Sequence, residues 1–351
     1  MKKAILYEQL NNDLVHPPKR MPFRRVKCTA CAHYCYIKPN NTGVCGVRKN
    51  IKGDLFLLVY GRPIAVNIDP IEKKPLFHFL PGTQIFSLGT VGCNFECDFC
   101  QNWDISQVNK GRQSIGAEQL GQDWPAEKII NYCAENQIPS VAYTYNEPTI
   151  FAEYAYDVMR LGHRRGIKNV FVSNGYSSPE TYKLITPYLD AINIDLKSFR
   201  ADYYQKICKA NIKPVLDNIK KIFDLGIWIE VTTLIIPGKN DSEQELRQIA
   251  EFLAKIDVNI PWHISRFFPQ YKMADGLRTP ISTLEHAYKI GKEAGLHYVY
   301  VGNYPRIDLE STYCPECEKV VIERSGYLVC ESHIKDGHCA HCGCVIKGVW
   351  T

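Results

Sequence analysis

The stretch Cys93-Asn94-Phe95-Glu96-Cys97-Asp98-Phe99-Cys100 restricts this chain more than any other. Its spacing is CxxxCxxC, and it follows an apolar run, Ile85–Thr90. Three thiolates this close can hold one face of an iron–sulfur cube, whose four irons usually take four cysteines. The local motif supplies three. One iron then stays open for a substrate or cofactor, and an open metal position marks catalytic rather than purely structural sites. On spacing alone, an ordinary ferredoxin-type or zinc site is the rival.

A strand before the motif, and an aromatic residue (Phe99) before its last cysteine, give it a resemblance to the radical S-adenosylmethionine (SAM) enzymes. The resemblance implies a 4Fe-4S cluster on Cys93, Cys97 and Cys100, with SAM chelating the open iron through its amino and carboxylate groups. It further implies that an electron from the cluster breaks the sulfonium bond and yields a 5′-deoxyadenosyl radical. By family position, Phe99 and Trp103 are expected to pack on adenine.

Cysteine is the compositional outlier, at 15 of 351 residues. The count is odd and the residues cluster as CxxC and CxxxC, which suits metal ligation better than a disulfide framework. The net charge of +5, from 42 basic and 37 acidic residues, is too mild to argue for nucleic acid. The N-terminus begins with Lys2 and Lys3 but reaches Glu8 with no apolar signal core after it. No stretch approaches the ~20 apolar residues of a membrane span. The expectation is a cytoplasmic protein with no membrane partner.

Residues 1–27 suggest a short helix and a basic loop carrying Lys19, Arg20, Arg24 and Arg25. Cys28, Cys31, Cys35 and Cys45 follow, with His33 as a spare. Four thiolates close a tetrahedral site, which suits zinc or a fully ligated iron–sulfur cluster as an auxiliary metal. Buried free cysteines are the bland alternative. Leu55–Tyr60 reads as a strand, and 64–68 is expected to pair back on it as a hairpin. At the other end, Cys314, Cys317, Cys339 and Cys342 form CxxC…CxxC around two candidate strands, a zinc-ribbon signal with rubredoxin-type iron as rival. Cys330, His333, His338 and Cys344 lie near enough in sequence to exchange as ligands.

Between these ends, β-rich runs alternate with helical stretches. The runs are 85–90, 141–145, 170–173, 191–196, 228–235 and 262–268, with a seventh at 298–302. Helix starts stand at Pro125, Pro148, Pro179 and Ser242. Strand–helix alternation implies βαβ units and a parallel sheet. The expected fold is α/β: a partial (β/α)6 TIM-like barrel with an N-terminal cysteine-rich segment and a C-terminal zinc-ribbon-like module. The expected boundaries are 1–82, 83–305 and 306–351. The segment 105–122 reads as a long loop after the cluster motif.

In full barrels the active site lies at the C-terminal ends of the strands. Here those ends are polar. Tyr145-Asn146-Glu147-Pro148 occupies the place of the family's GGEP-type motif, which receives the SAM amino group, with both glycines replaced. Glu147 facing an ammonium would make a charge-assisted hydrogen bond; a helix-capping charge is the alternative. Asn174, in Ser173-Asn174-Gly175, is a candidate for the SAM ribose or carboxylate, against a plain Asn-Gly turn. Asn193, Asp195 and Lys197 share one strand face. Asp195-Leu196-Lys197 resembles a motif of glycyl-radical-enzyme activases in which the lysine approaches the SAM carboxylate; a structural Asp–Lys pair is the alternative. Glu230, Thr232, His263, Ser265 and Arg266 continue the polar ring.

The upstream cysteines with Gly43-Val44-Cys45-Gly46-Val47-Arg48, the motif with Gln101-Asn102-Trp103-Asp104-Ile105-Ser106, Tyr143–Thr149, Asp195–Phe199, Pro261–Met273 and the terminal knuckles span most of the chain. Together they are similar to the radical SAM enzyme of the AmmeMemoRadiSam system, a family related to pyruvate formate-lyase activating enzymes. This implies Memo-type and AMMECR-type partner proteins and reduced ferredoxin or flavodoxin as electron donor. The expected function is reductive SAM cleavage followed by hydrogen abstraction from a substrate the motifs do not name. One alternative is a glycyl-radical-enzyme activase; cysteine-bearing residues ahead of the cluster motif weaken it. The other is a non-catalytic metal-binding or RNA-binding scaffold.

Overall fold

The computed structural model describes residues 1–10, 25–108 and 116–351. The chain divides into two compact units, Met1–Asn67 with Phe86–Asp190, and Ile68–Ile85 with Ala191–Thr351.

In the first unit three strands lie side by side: β1 (Gln84–Gly89), β2 (Ser140–Tyr143) and β3 (Lys168–Ser173). β2 and β3 run parallel, with Lys168 opposite Ser140. All four residues of β2 are buried, as a strand covered on both faces requires. The helices are α1 (Ala126–Glu135), α2 (Ala152–His163) and α3 (Pro179–Ile185). Ile129, Ile130 and Cys133 recur at helical spacing and make the buried stripe of α1. Ser178 caps α3 by accepting from the Thr181 amide at 3.1 Å.

The N-terminal segment corrects two expectations. Residues 2–3 and 7–9 are strands, not a helix. Lys2–Lys3 pairs with Asp54–Leu57, and Tyr7–Gln9 with Val26–Cys28. Lys19, Arg20 and Arg24 of the expected basic loop lie outside the described residues, as do 109–115 of the loop after the cluster motif. Asp54–Leu57 pairs back on Arg48–Ile51, and not on 64–68. The turn between them holds Lys52 and Gly53 at φ of 55° and 92°, the backbone of a two-residue type I′ hairpin. Ala65–Pro70 instead joins the main sheet at its edge.

In the second unit β4 (Ala191–Asp195), β5 (Trp228–Ile235), β6 (Trp262–Arg266) and β7 (Val299–Gly302) are successive parallel neighbours. The helices are α4 (Lys213–Asp224), α5 (Glu243–Ile256) and α6 (Ile281–Glu293). Ser242 caps α5, whereas α4 and α6 start without a side-chain cap bond. Within each unit the strand pairs β2–β3, β4–β5, β5–β6 and β6–β7 are parallel, as the α/β reading anticipates. The C-terminal module is a small antiparallel sheet of Thr312–Tyr313, Val320–Ser325 and Leu328–Ser332, followed by the pair Ile334–Lys335 and His338–Cys339.

Parallel register puts Asn193 opposite Glu230, Thr232 opposite His263, and His263 opposite Tyr300. This polar face is internally satisfied. The Glu230 carboxylate is fully buried and accepts from the Phe77 amide at 3.0 Å, the His78 amide at 2.8 Å, the Trp228 indole at 3.0 Å and His263 Nε2 at 2.6 Å. Burial opposes its charge, but these bonds and the facing imidazoles hold it below the usual carboxylate range.

Candidate active site and metal centres

The cluster motif leaves the end of β1 through two glycines. A Cβ on Gly89 would stand 2.5 Å from the Thr144 carbonyl oxygen and 3.0 Å from the Tyr145 Cβ, so β1 approaches the Tyr145–Glu147 loop without a side chain between them. Gly92 has φ of 90°, and a Cβ there would stand 2.5 Å from the Cys45 carbonyl oxygen. The cluster loop thus packs backbone to backbone against the N-terminal cysteine segment.

Cys93 and Cys97 are buried and Cys100 is half-buried. Donors point at the sulfurs: the Phe95 amide lies 3.4 Å from Cys93 Sγ, and the Ser106 hydroxyl 3.1 Å from Cys100 Sγ. Hydrogen bonds to sulfur stabilise thiolate ligands and tune a cluster's potential. Asn94, inside the motif, accepts from Asn174 Nδ2 at 2.8 Å through Oδ1, while its own Nδ2 is buried without a hydrogen-bond partner among the described residues. A buried amide left with an unused donor is costly unless something arrives to accept it. Three thiols, donors on two of them and an orphaned amide beside them fit a cluster that carries a polar ligand.

Glu147 and Asn174 meet in this unit. The Glu147 carboxylate is buried and accepts from the Thr149 amide (3.0 Å) and hydroxyl, the Ser173 hydroxyl (2.9 Å) and the Asn174 amide (2.7 Å). Burial pushes its carboxyl above the ordinary range, against the pull of these donors. Glu147 therefore fixes the start of the Asn174 turn. Tyr145, in a glycine position of the family motif, has φ of 68°; its carbonyl accepts from Asn102 Nδ2 at 2.7 Å and its hydroxyl from Asn67 Nδ2 at 2.9 Å. Asn146 donates through Nδ2 to the Gly92 carbonyl at 2.8 Å. Phe99 is buried and Trp103 is 42% exposed.

Cys28, Cys31 and Cys45 are buried and Cys35 is half-buried. Burial raises each thiol, and each feels the charge of others in the set. The segment is strapped to the Asn174 turn: the Ala32 amide donates to the Tyr176 carbonyl at 3.0 Å, and the Ser178 amide to the Ala30 carbonyl at 3.2 Å. His33, which sequence offered as a spare ligand, places Nε2 2.8 Å from the Asn94 carbonyl oxygen. Arg48 is fully buried, donating through Nε to the Ile150 carbonyl at 2.9 Å and pairing with Glu153 through both terminal nitrogens.

In the second unit, Lys197 Nζ pairs with Asp195 Oδ2 at 2.9 Å at the end of β4. His263 is buried against Glu230. The sulfurs of Cys314, Cys317, Cys339 and Cys342 all lie within 4.8 Å of one another, with Cys314–Cys342 at 3.5 Å and Cys317–Cys339 at 3.8 Å. Tetrahedral Zn–S bonds of ~2.3 Å set sulfurs about 3.8 Å apart, so the four knuckle thiols fit one ion. The Asn94 amide, Ser106, Thr149 and the Arg48–Glu153 pair adjoin the candidate residues in ways that spacing does not reveal. Asn94 alone carries a signal, its place between two cysteines of the motif.

The α/β sheet and the three-thiol loop at the end of β1 are those expected of a radical SAM enzyme. The radical SAM superfamily profile matches residues 87–253, so the chain carries a radical SAM domain. It is 42% identical over 325 residues to the uncharacterized protein MJ0808 of Methanocaldococcus jannaschii, covering 92% of each chain. It is 25% identical to the GTP 3′,8-cyclase of Limosilactobacillus fermentum over 67% of this chain and 75% of that one. With the pyruvate formate-lyase-activating enzyme of Clostridium pasteurianum it shares 22% identity over 47% of this chain and 67% of the relative. A radical SAM domain implies a 4Fe-4S cluster and SAM. No helix among the described residues is long and apolar enough to cross a membrane.

Proposed function

We propose that Cys93, Cys97 and Cys100 hold the cluster and that Asn94 and Asn174 line the SAM position beside it. The observation that carries this is the buried, unpartnered Asn94 amide next to thiols that already receive hydrogen bonds. When bound, the cluster and SAM together supply a 5′-deoxyadenosyl radical that takes hydrogen from the substrate. The protein's part is placement. Glu147 acts by holding the Asn174 turn, since Thr149, Ser173 and Asn174 already meet its oxygens. Gly89 lets the Tyr145 loop approach, and Phe99 packs toward adenine. Asp195 and Lys197 are assigned to SAM by family position alone.

The sheet belongs to a partial (β/α)6 barrel on this reading, with boundaries at 82 and 305. Cys28, Cys31, Cys35 and Cys45 take an auxiliary metal, zinc or iron–sulfur. Cys314, Cys317, Cys339 and Cys342 take zinc. The motif set supports membership of the AmmeMemoRadiSam system, with Memo-type and AMMECR-type partners, a cytoplasmic location, and reduced ferredoxin or flavodoxin as electron donor. Likeness to an activating enzyme favours a second reading, an activase; it predicts a backbone radical on a partner protein, visible by electron paramagnetic resonance.

Anaerobic reconstitution with iron and sulfide, then reduction with dithionite in the presence of SAM, tests the first reading. The wild-type chain is expected to release 5′-deoxyadenosine and Cys97→Ala to release none. Equal release from both would reject the site.

A further inference from the structure

The segment that leaves β6 gathers positive charge that the described residues do not neutralise. Arg266 is its last strand residue, and Arg278 lies at the far end of the excursion that follows. Both guanidinium groups lie over one ring, Phe268, at 5.6 Å and 5.2 Å from its centroid. Their carbons are thus at most about 11 Å apart.

Arg266 is aimed by one hydrogen bond, Nε to the Thr279 carbonyl at 2.9 Å. Thr279 is itself locked. Its hydroxyl donates to the Ile235 carbonyl at 2.6 Å and accepts from the Phe267 amide at 2.9 Å. One buried threonine therefore ties the end of β5, the end of β6 and the return of the excursion into a fixed frame. The terminal nitrogens of Arg266 have no partner among the described residues. Arg278 is exposed and has neither a hydrogen bond nor an ion pair there. Asp275, the acid of this excursion, is exposed and pairs with neither arginine. Lys239, four residues past Ile235, the cross-strand partner of Arg266, is exposed without a carboxylate partner among the described residues.

Like charges gathered near one ring repel, and a bound anion relieves what water and salt leave unscreened. Guanidinium forks match phosphate and carboxylate geometry. Two of them, when turned to the same side of one ring, suit a group with three or more acceptor oxygens and more than one negative charge. The location agrees, because ligands of parallel α/β sheets bind at the carboxyl ends of the strands. We propose that Arg266 and Arg278 form a phosphate subsite and that the substrate of this enzyme is a phosphate ester. The substrate role rests on the radical SAM reading; the phosphate site does not.

Inorganic phosphate titrated into the reconstituted full chain tests this. Ionic strength is held constant with chloride, and hydrogen exchange of residues 266–279 is followed. Saturable protection is expected in the wild type. Arg278→Gln, an exposed change that leaves folding intact, is expected to weaken the apparent Kd about tenfold or more. Arg266→Gln is expected to do the same, and Arg278→Lys to retain part of the affinity. The proposal is overturned if the wild type shows no saturable protection, if the glutamine variants protect equally, or if succinate protects as well as phosphate. SAM cleavage is assayed on the same samples. Cleavage without phosphate protection defeats only the subsite, and protection without cleavage defeats only the radical reading.

Discussion

Asn94 is joined to two distant stretches of chain at once. Its side chain accepts from Asn174, and its carbonyl faces His33. Asn94→Ala would strand the Asn174 amide in a buried place, a loss of about 1–3 kcal/mol in whatever equilibrium needs that amide aligned. We expect SAM affinity to fall roughly tenfold or more by equilibrium binding, with the iron content of the reconstituted protein retained. Unchanged SAM affinity would remove Asn94 from the site. At this scale the cysteines are legible because metal ligation needs thiols at fixed short spacing. Their supporting residues are not. The bond between Asn94 and Asn174 spans 80 positions, and nothing in either local sequence marks the other as its partner. Glu147 shows the same limit. Its motif suggests an exposed carboxylate for a ligand ammonium, but Ser173 and Asn174 fold back to cover it.

Elements whose signal is local were legible. α1 and α5 carry apolar stripes at helical period and begin after Pro125 and Ser242, so they stand where the pattern places them. Residues 2–3 and 7–9 are too short to show a period, and their strand partners lie far along the chain. The Lys52–Gly53 turn escaped because a lysine, not the usual asparagine or aspartate, takes the first left-handed position. The segment before β1 contributes His78, whose Nδ1 donates to the Lys347 carbonyl at 2.7 Å and whose Nε2 accepts from Tyr300 at 2.6 Å. Burial pulls its pKa down to about 4. The unfolded imidazole, near 6.5, binds a proton before the folded one does. Stability from His78 is therefore fully present above pH ~6.5 and is lost as pH falls toward 4, by roughly 3 kcal/mol. Urea unfolding between pH 7 and 4 should show this slope in the wild type and a flatter one in His78→Gln. Parallel curves would mean that His78 is not the group responsible.

For the chain as a whole, the small C-terminal module is expected to depend on what its four thiols hold. Its apolar cluster has few members, among them Cys314 and Cys339 themselves, with Val321 and Ile346. A core this small needs a staple, and a structural metal supplies folding energy directly. Chelation, or Cys317→Ser, should raise hydrogen exchange across 312–346; unchanged exchange would show that the module stands without metal. The α/β class and the gathering of the four terminal thiols could be read from the sequence, because each rests on a repeating pattern or a fixed spacing. The division into two units could not, since each unit is assembled from separated pieces of chain. The account's central claim is an iron–sulfur cluster held by three thiols and open to SAM. Electron paramagnetic resonance of the dithionite-reduced protein tests it most directly. The signal that Cys97→Ala abolishes should change shape when SAM is added to the wild type. An identical spectrum with and without saturating SAM would contradict the claim.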